Sequence, residues 1–175
     1  MNPSMIAART EQTAPEMTPT TMSSSRKYTL EAFPARHVVS SPAATQSLAR
    51  ALAAHLRPGD VVAVEGGLGS GKTTFVRGLA TALLGTDPVS SPTFTFRHRY
   101  GGTEGSPALE HVDLYRIDDP AELAELGLEE AFATDAVTAI EWPERAPELV
   151  GRPRWRVVVD GSGEEPRAIT IERLD

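Results

Sequence analysis

Cysteine is absent from this chain, so neither a disulfide nor a thiolate-bound metal can hold its fold together. No apolar run approaches the ~18 residues of a membrane-spanning helix, and no apolar stretch near the N-terminus makes a secretory signal. A cytoplasmic protein without a membrane segment is therefore expected. Positive charge is in deficit. The formal net charge of −7 argues against a protein that grips nucleic acid by bulk electrostatics. Arg97-His98-Arg99 and Arg152, Arg154 and Arg156 are local basic spots, read as solvated strand faces. Lysine is scarce: there are two, Lys27 and Lys72, against fifteen arginines.

What is present divides unevenly. Residues 1–27 are dominated by Ser, Thr, Pro, Glu and Met without periodicity, and read as a disordered tail. Residues 28–175 suffice for one domain with its own core.

That domain is organised around Glu65-Gly66-Gly67-Leu68-Gly69-Ser70-Gly71-Lys72-Thr73-Thr74-Phe75, which fits G-x-x-x-x-G-K-[ST]. The motif needs a strand before it and a helix after it. Asp60 to Val64 is a short β-branched run suited to a buried strand. Thr73 to Leu84 carries Val76, Leu79, Ala80 and Leu83 at helical spacing, and Gly85 can stop it. Glycines let the backbone wrap phosphate oxygens, and loop amides with the helix N-terminus point at the anion. Lys72 would neutralise β/γ-phosphate charge from a solvent-facing loop, and the Thr73 hydroxyl would ligate Mg²⁺.

The flanking chain supplies the frame. Tyr28 to Val39 reads as a strand or extended segment. Ser41 is an N-cap and Pro42 an N1 residue for a helix with Leu48, Leu52 and Leu56 on its buried stripe. His55 reads as a surface residue of that helix, which Pro58-Gly59 ends. Two prolines make Asp87 to Phe94 a rigid extended loop, in which Ser91 and Thr93 are candidate γ-phosphate-sensing hydroxyls. Phe94, Phe96, His98 and Tyr100 should share a strand face. Ala108 to Arg116 puts Leu109, His111, Asp113 and Tyr115 on one face, and Asp113 stands where a carboxylate of Walker-B type is expected. Asp119-Pro120-Ala121-Glu122 starts a short helix with a capping box, followed by a helical turn over 128–132. The acids Glu122, Glu125, Glu129 and Glu130 read as its solvated face.

Ala136 to Ile140 is an apolar strand that ends on Glu141, Trp142 and Pro143, at the carboxyl end where such sheets bind ligands. Trp155 to Val159 and Ala168 to Ile171 read as a hairpin through 160–163, so the sheet cannot be wholly parallel. The expected fold is α/β: a phosphate-loop NTPase-like, three-layer domain with a mixed central sheet and flanking helices.

Four motifs in order then resemble the TsaE (YjeE) family: Gly-Gly-Leu-Gly-Ser-Gly-Lys-Thr-Thr at 66–74, Ser-Ser-Pro-Thr-Phe at 90–94, His-Val-Asp-Leu-Tyr-Arg at 111–116 and Glu-Trp-Pro at 141–143. The resemblance runs from about Phe33 to the C-terminus. Gly67 departs from it, since many members carry Asp there. It implies an Mg²⁺-dependent ATPase of tRNA threonylcarbamoyladenosine biosynthesis. Such a protein works with TsaD and TsaB, and TsaD transfers the threonylcarbamoyl group to tRNA. Contact with tRNA itself is expected only indirectly. The resemblance further implies Thr73 and Glu141 as Mg²⁺ ligands, Asp113 as the Walker-B-type carboxylate and Thr93 as the switch-loop hydroxyl. ATP would then lie against Gly67 to Thr74, Trp142 and Arg167, with the backbone of 41–45 near the adenine. Two rival readings are a small kinase, for which Arg97, Arg99 and Arg116 would serve, and a nucleotide-binding subunit without hydrolysis. A GTPase is excluded: with lysine only at 27 and 72, the chain holds no Asn-Lys-x-Asp motif.

Overall fold

Four parallel strands form the middle of a seven-stranded sheet. The computed structural model describes residues 34–86, 89–90, 95–101, 107–119, 122–125, 132, 135–151, 153–161 and 166–174. The expected tail over 1–27, the hydroxyls of Ser91 and Thr93, Arg152, and Glu129 and Glu130 lie outside the described residues. The elements are β1 (Ala35–Val39), α1 (Pro42–Ala53), β2 (Val61–Glu65), α2 (Lys72–Leu84), β3 (Arg97–Tyr100), β4 (Ala108–Asp113), α3 (Glu122–Glu125), β5 (Ala136–Glu141), a 3-10 turn (Pro143–Arg145), α4 (Pro147–Val150), β6 (Trp155–Asp160) and β7 (Arg167–Arg173).

The sheet order is β1-β7-β6-β2-β5-β4-β3. β6, β2, β5 and β4 run parallel, and the antiparallel pairs β6–β7, β7–β1 and β3–β4 complete it. The mixed sheet of a phosphate-loop NTPase-like fold is thus present, with the expected antiparallel pairing of β6 and β7. β4 and β5 are buried at every position, as strands covered on both faces must be.

Local chemistry sets the element ends. The Ser41 side chain accepts from the Ala44 N–H at 3.1 Å, and Pro42 opens α1. Gly85 caps α2, its N–H donating to the Thr81 carbonyl at 3.1 Å. β4 stops at Asp113 rather than running to Arg116, because the Asp113 carboxylate accepts from the Tyr115 N–H at 3.0 Å and turns the chain. Phe96 does not share a strand face with His98 and Tyr100. Its φ of 60° breaks the strand, so β3 begins at Arg97.

Alternation then sorts the side chains. Leu109, Val137, Ala139, Val62 and Val64 join Leu48, Leu52, Phe75 and Leu79 in the main core, beneath α1 and α2. Val112 and Ile140 face the other way, with Leu114, Ile117, Leu123, Ala146 and Val150. The two long helices meet at Gly78, where an added Cβ would stand 2.6 Å from the Gln46 carbonyl oxygen and 2.7 Å from Ala49 Cβ.

That contact sets a stability test. Gly78→Ala gains about 1 kcal/mol of helix propensity, yet overpacking against backbone costs about 1–3 kcal/mol. Urea unfolding should show a net loss, and a variant at least as stable as the parent would contradict so close a helix crossing.

Candidate functional site

The carboxyl ends of β2, β4 and β5 lie side by side, with Val64 opposite Glu141 and Asp113 opposite Glu141 in the strand registers. The chain leaves β2 through the glycine loop and enters α2 at Lys72. Gly66 holds a φ of 145° against β6, and a Cβ there would fall on the Val159 carbonyl oxygen. No other residue fits that combination of backbone and space. The loop closes on itself through the Ser70 N–H to the Gly67 carbonyl at 3.2 Å, and the Phe75 N–H reaches the Gly71 carbonyl at 3.0 Å.

Lys72 corrects an expectation. It is only 4% exposed, not solvent-facing. Its ammonium donates to the carbonyls of Gly66 at 2.7 Å and Gly67 at 2.8 Å. It also lies 3.7 Å from the centroid of the Trp142 ring. Burial pushes the lysine below its usual pKa, while Glu141, Asp113 and Glu144 pull it back up. A short ammonium on a flexible stem can fill this slot from below, where a planar guanidinium could not.

Thr73, one residue on, donates its hydroxyl to Glu141 Oε2 at 3.1 Å. The other carboxylate oxygen, Oε1, lies 2.8 Å from His111 Nε2. Glu141 and Asp113 are 2% and 4% exposed. A hydroxyl and two buried carboxylates make a set of hard oxygen donors, which suits Mg²⁺. No group of three or more His, Cys, Asp or Glu side chains that could hold a metal occurs among the described residues. Mg²⁺ in phosphate-binding sites uses one or two carboxylates with substrate phosphates instead of a protein cage, so this donor set fits it.

A cavity of about 380 Å³ opens above these groups. It is lined by Leu68, Gly69 and residues 71–74 of the loop and helix start, by Asp113, Glu141 and Trp142 at the ends of β4 and β5, and by Arg167 and Pro42. Of the described residues expected to bind nucleotide or metal or to act in catalysis, all except Gly67 and Ser70 line it; Thr93 lies outside the described residues. Gly67 and Ser70 are in the loop beneath: Gly67 binds Lys72 through its carbonyl, and Ser70 is buried. Sequence reasoning assigned no role to Tyr115 or His111. Tyr115 lines the cavity with its ring 4.9 Å from that of Trp142. The alternation in β4 that selected Asp113 also carries His111 to the same face, and that was the available signal.

The basic spots are committed elsewhere. Arg97 grips the fully buried Glu110 with two bonds of 2.9 and 3.2 Å. Arg99 joins Glu110 at 2.8 Å and Asp135 at 2.6 Å. Arg156 pairs with Glu65 at 2.7 Å and with Glu172 at 3.3 Å, and Arg154 with Asp60 at 3.4 Å. These arginines are matched by acids instead of forming a free cationic face. His55 is exposed, as its sequence position suggests.

Comparison with known proteins agrees with the fold. A family model described as "Threonylcarbamoyl adenosine biosynthesis protein TsaE" matches residues 39–169. The "tRNA threonylcarbamoyladenosine biosynthesis protein TsaE" of Bacillus subtilis is 40% identical over 130 residues, 74% of this chain and 80% of that protein. Its namesake in Streptomyces coelicolor is 36% identical over 134 residues, 74% of this chain and 90% of that protein. The crystal structure of YdiB from Bacillus subtilis superposes with a TM-score of 0.66 at 33% identity, covering 81% of this chain and 86% of that one.

An anion in the loop would compete with the Gly66 and Gly67 carbonyls for the Lys72 ammonium, and a shift of that charge would alter the field at the Trp142 ring. Adding ATP to a Trp155→Phe variant should therefore change tryptophan emission, and Trp142→Phe should abolish the change. Emission indifferent to ATP in the first variant, at a concentration where a separate assay shows ATP bound, would mean that Lys72 stays on the carbonyls.

Proposed function

This chain belongs to the TsaE family of threonylcarbamoyl adenosine biosynthesis proteins, and from that premise we propose that it is an Mg²⁺-dependent ATPase of the tRNA-modifying machinery. The observation that carries the proposal is the hydrogen bond between Thr73, the first threonine after the loop lysine, and Glu141, the last residue of the neighbouring parallel strand. In this reading Gly67 to Thr74 wrap the phosphates with backbone amides, and Lys72 exchanges two carbonyls for β/γ-phosphate oxygens. Thr73 and Glu141 would hold Mg²⁺, which would supply charge neutralisation to the bound phosphates. Asp113, fixed by the Tyr115 amide, orders the attacking water. Trp142 and Arg167 flank the nucleotide, with Pro42 toward the adenine.

The partners follow from the family, as TsaD and TsaB, with tRNA reached through them in the cytoplasm. No helix among the described residues is long and apolar enough to cross a membrane. The charge pattern favours a protein partner over direct tRNA capture, because Arg97, Arg99 and Arg156 already serve carboxylates of this chain. The same pairings weaken the kinase reading, which needs Arg97 and Arg99 for a substrate. Thr93 is assigned as the hydroxyl that senses the γ-phosphate. The roots of its loop are tied down, since the Arg77 Nε–H donates to the Val89 carbonyl at 3.2 Å and the Tyr100 hydroxyl to that of Ser90 at 3.3 Å.

Phosphate release from ATP should be measured with and without TsaD and TsaB. Lys72→Ala should lower the rate at least about 100-fold, and Glu141→Gln should raise the Mg²⁺ requirement more than it weakens nucleotide binding. Phosphate transfer to a small molecule instead of water would favour the kinase. Retention on TsaD–TsaB should differ between an ATP analogue, ADP and no nucleotide, and Thr93→Ala should flatten the difference. Equal retention in all three states would remove the switch role.

A further inference from the structure

We infer that His111 is a positioning residue for the Glu141 carboxylate, holding it in the rotamer that receives the metal. The inference rests on the reading of Glu141 as an Mg²⁺ ligand. His111 is fully buried in β4, on the face that ends in Asp113 and two register positions from the level of Glu141 on β5. A buried imidazole is costly where an aliphatic residue would pack, unless its polar atoms are matched. The partner of its ring is Glu141 Oε1, at 2.8 Å from Nε2. An ionised carboxylate only accepts, so Nε2 carries the hydrogen and donates it. Nδ1 then bears a lone pair, which agrees with that buried nitrogen having no hydrogen-bond partner among the described residues. A buried N–H left without an acceptor would cost more.

The consequence is geometric. The His111 Nε2–H fixes one oxygen of Glu141 and the Thr73 hydroxyl fixes the other, so the carboxylate is oriented before a cation arrives. Groups that orient a metal-binding carboxylate in this way typically change metal affinity 10–100-fold when removed. His111 never touches nucleotide or metal in this role.

The test uses the full chain, a fluorescent ADP analogue and Mg²⁺ titrated from EDTA. His111→Leu fills the space without a donor; His111→Gln keeps an N–H. The Leu variant should need about 10-fold more Mg²⁺ for half its effect on ADP affinity, with the EDTA affinity within about twofold of the parent, and Gln should recover most of the shift. A Leu variant with the parent's Mg²⁺ midpoint overturns the inference and leaves the metal reading standing. Equal losses in both variants, with EDTA affinity falling too, overturn it by showing that His111 only packs. A parent indifferent to Mg²⁺ overturns the metal reading and the inference with it. Should the Leu variant fail to fold, ¹⁵N-histidine spectra of the unaltered protein decide: Nε2–H supports the assignment, and Nδ1–H overturns it.

Discussion

The parallel pairing of β2 with β5 is the constraint on which the rest of the site depends. It sets Val64 beside Glu141 at the level where the chain leaves β2 for the glycine loop. The helix that follows then starts directly above the acid, and Thr73 reaches it. An antiparallel neighbour would have sent its own carboxyl end to the far edge of the sheet. A slip of one residue would have turned Glu141 to the other face, among Ile140, Leu114 and Val112. The apolar alternation of β5, with Val137 and Ala139 under α2 and Ile140 beneath the 3-10 turn, opposes that slip.

Much of this frame can be read in the sequence, because the strongest signals are local. The glycine loop, Ser41-Pro42 and Gly85 each announce a backbone event within a few residues, and each event occurs where its chemistry requires. Period-two alternation identified the strands but misjudged their ends. Tyr115 belongs by pattern to β4, yet its amide is captured by Asp113. Phe96 belongs by pattern to β3, yet it adopts a left-handed backbone. In both places a single local geometry overrides a longer periodicity.

Non-local facts were harder to see. Nothing near Lys72 in the sequence says that it will be buried, because its cover comes from Trp142, some seventy residues on. Nothing near Arg97 and Arg99 says that Glu110, opposite Arg99 on the adjacent strand, will bind both. Gly78 looks like a weak point in α2 until α1 is laid across it. The cationic runs are especially misleading when read along the chain. Antiparallel pairing brings Glu110 to Arg99 and Glu172 to Arg156, and side-by-side acids turn an apparent basic face into internal ion pairs.

Those pairings leave the candidate site with an electrostatic problem of its own. Lys72 is drawn on by three acids, Glu141, Asp113 and Glu144. Arg167 also lines the cavity, its guanidinium beside Gly71 of the loop. A triphosphate entering beside buried carboxylates meets repulsion that water screens poorly. On the function proposed here, the cation therefore has a role in binding as well as in chemistry. Held by Thr73 and Glu141, it would offset the negative charge that the carboxylates and the nucleotide bring together. Lys72 brings a single positive charge against the three acids that act on it. On the proposed function, the charge arrangement of β4, β5 and the turn after it is the reason to expect a divalent ion, whether Asp113 or Glu141 would make the direct contact.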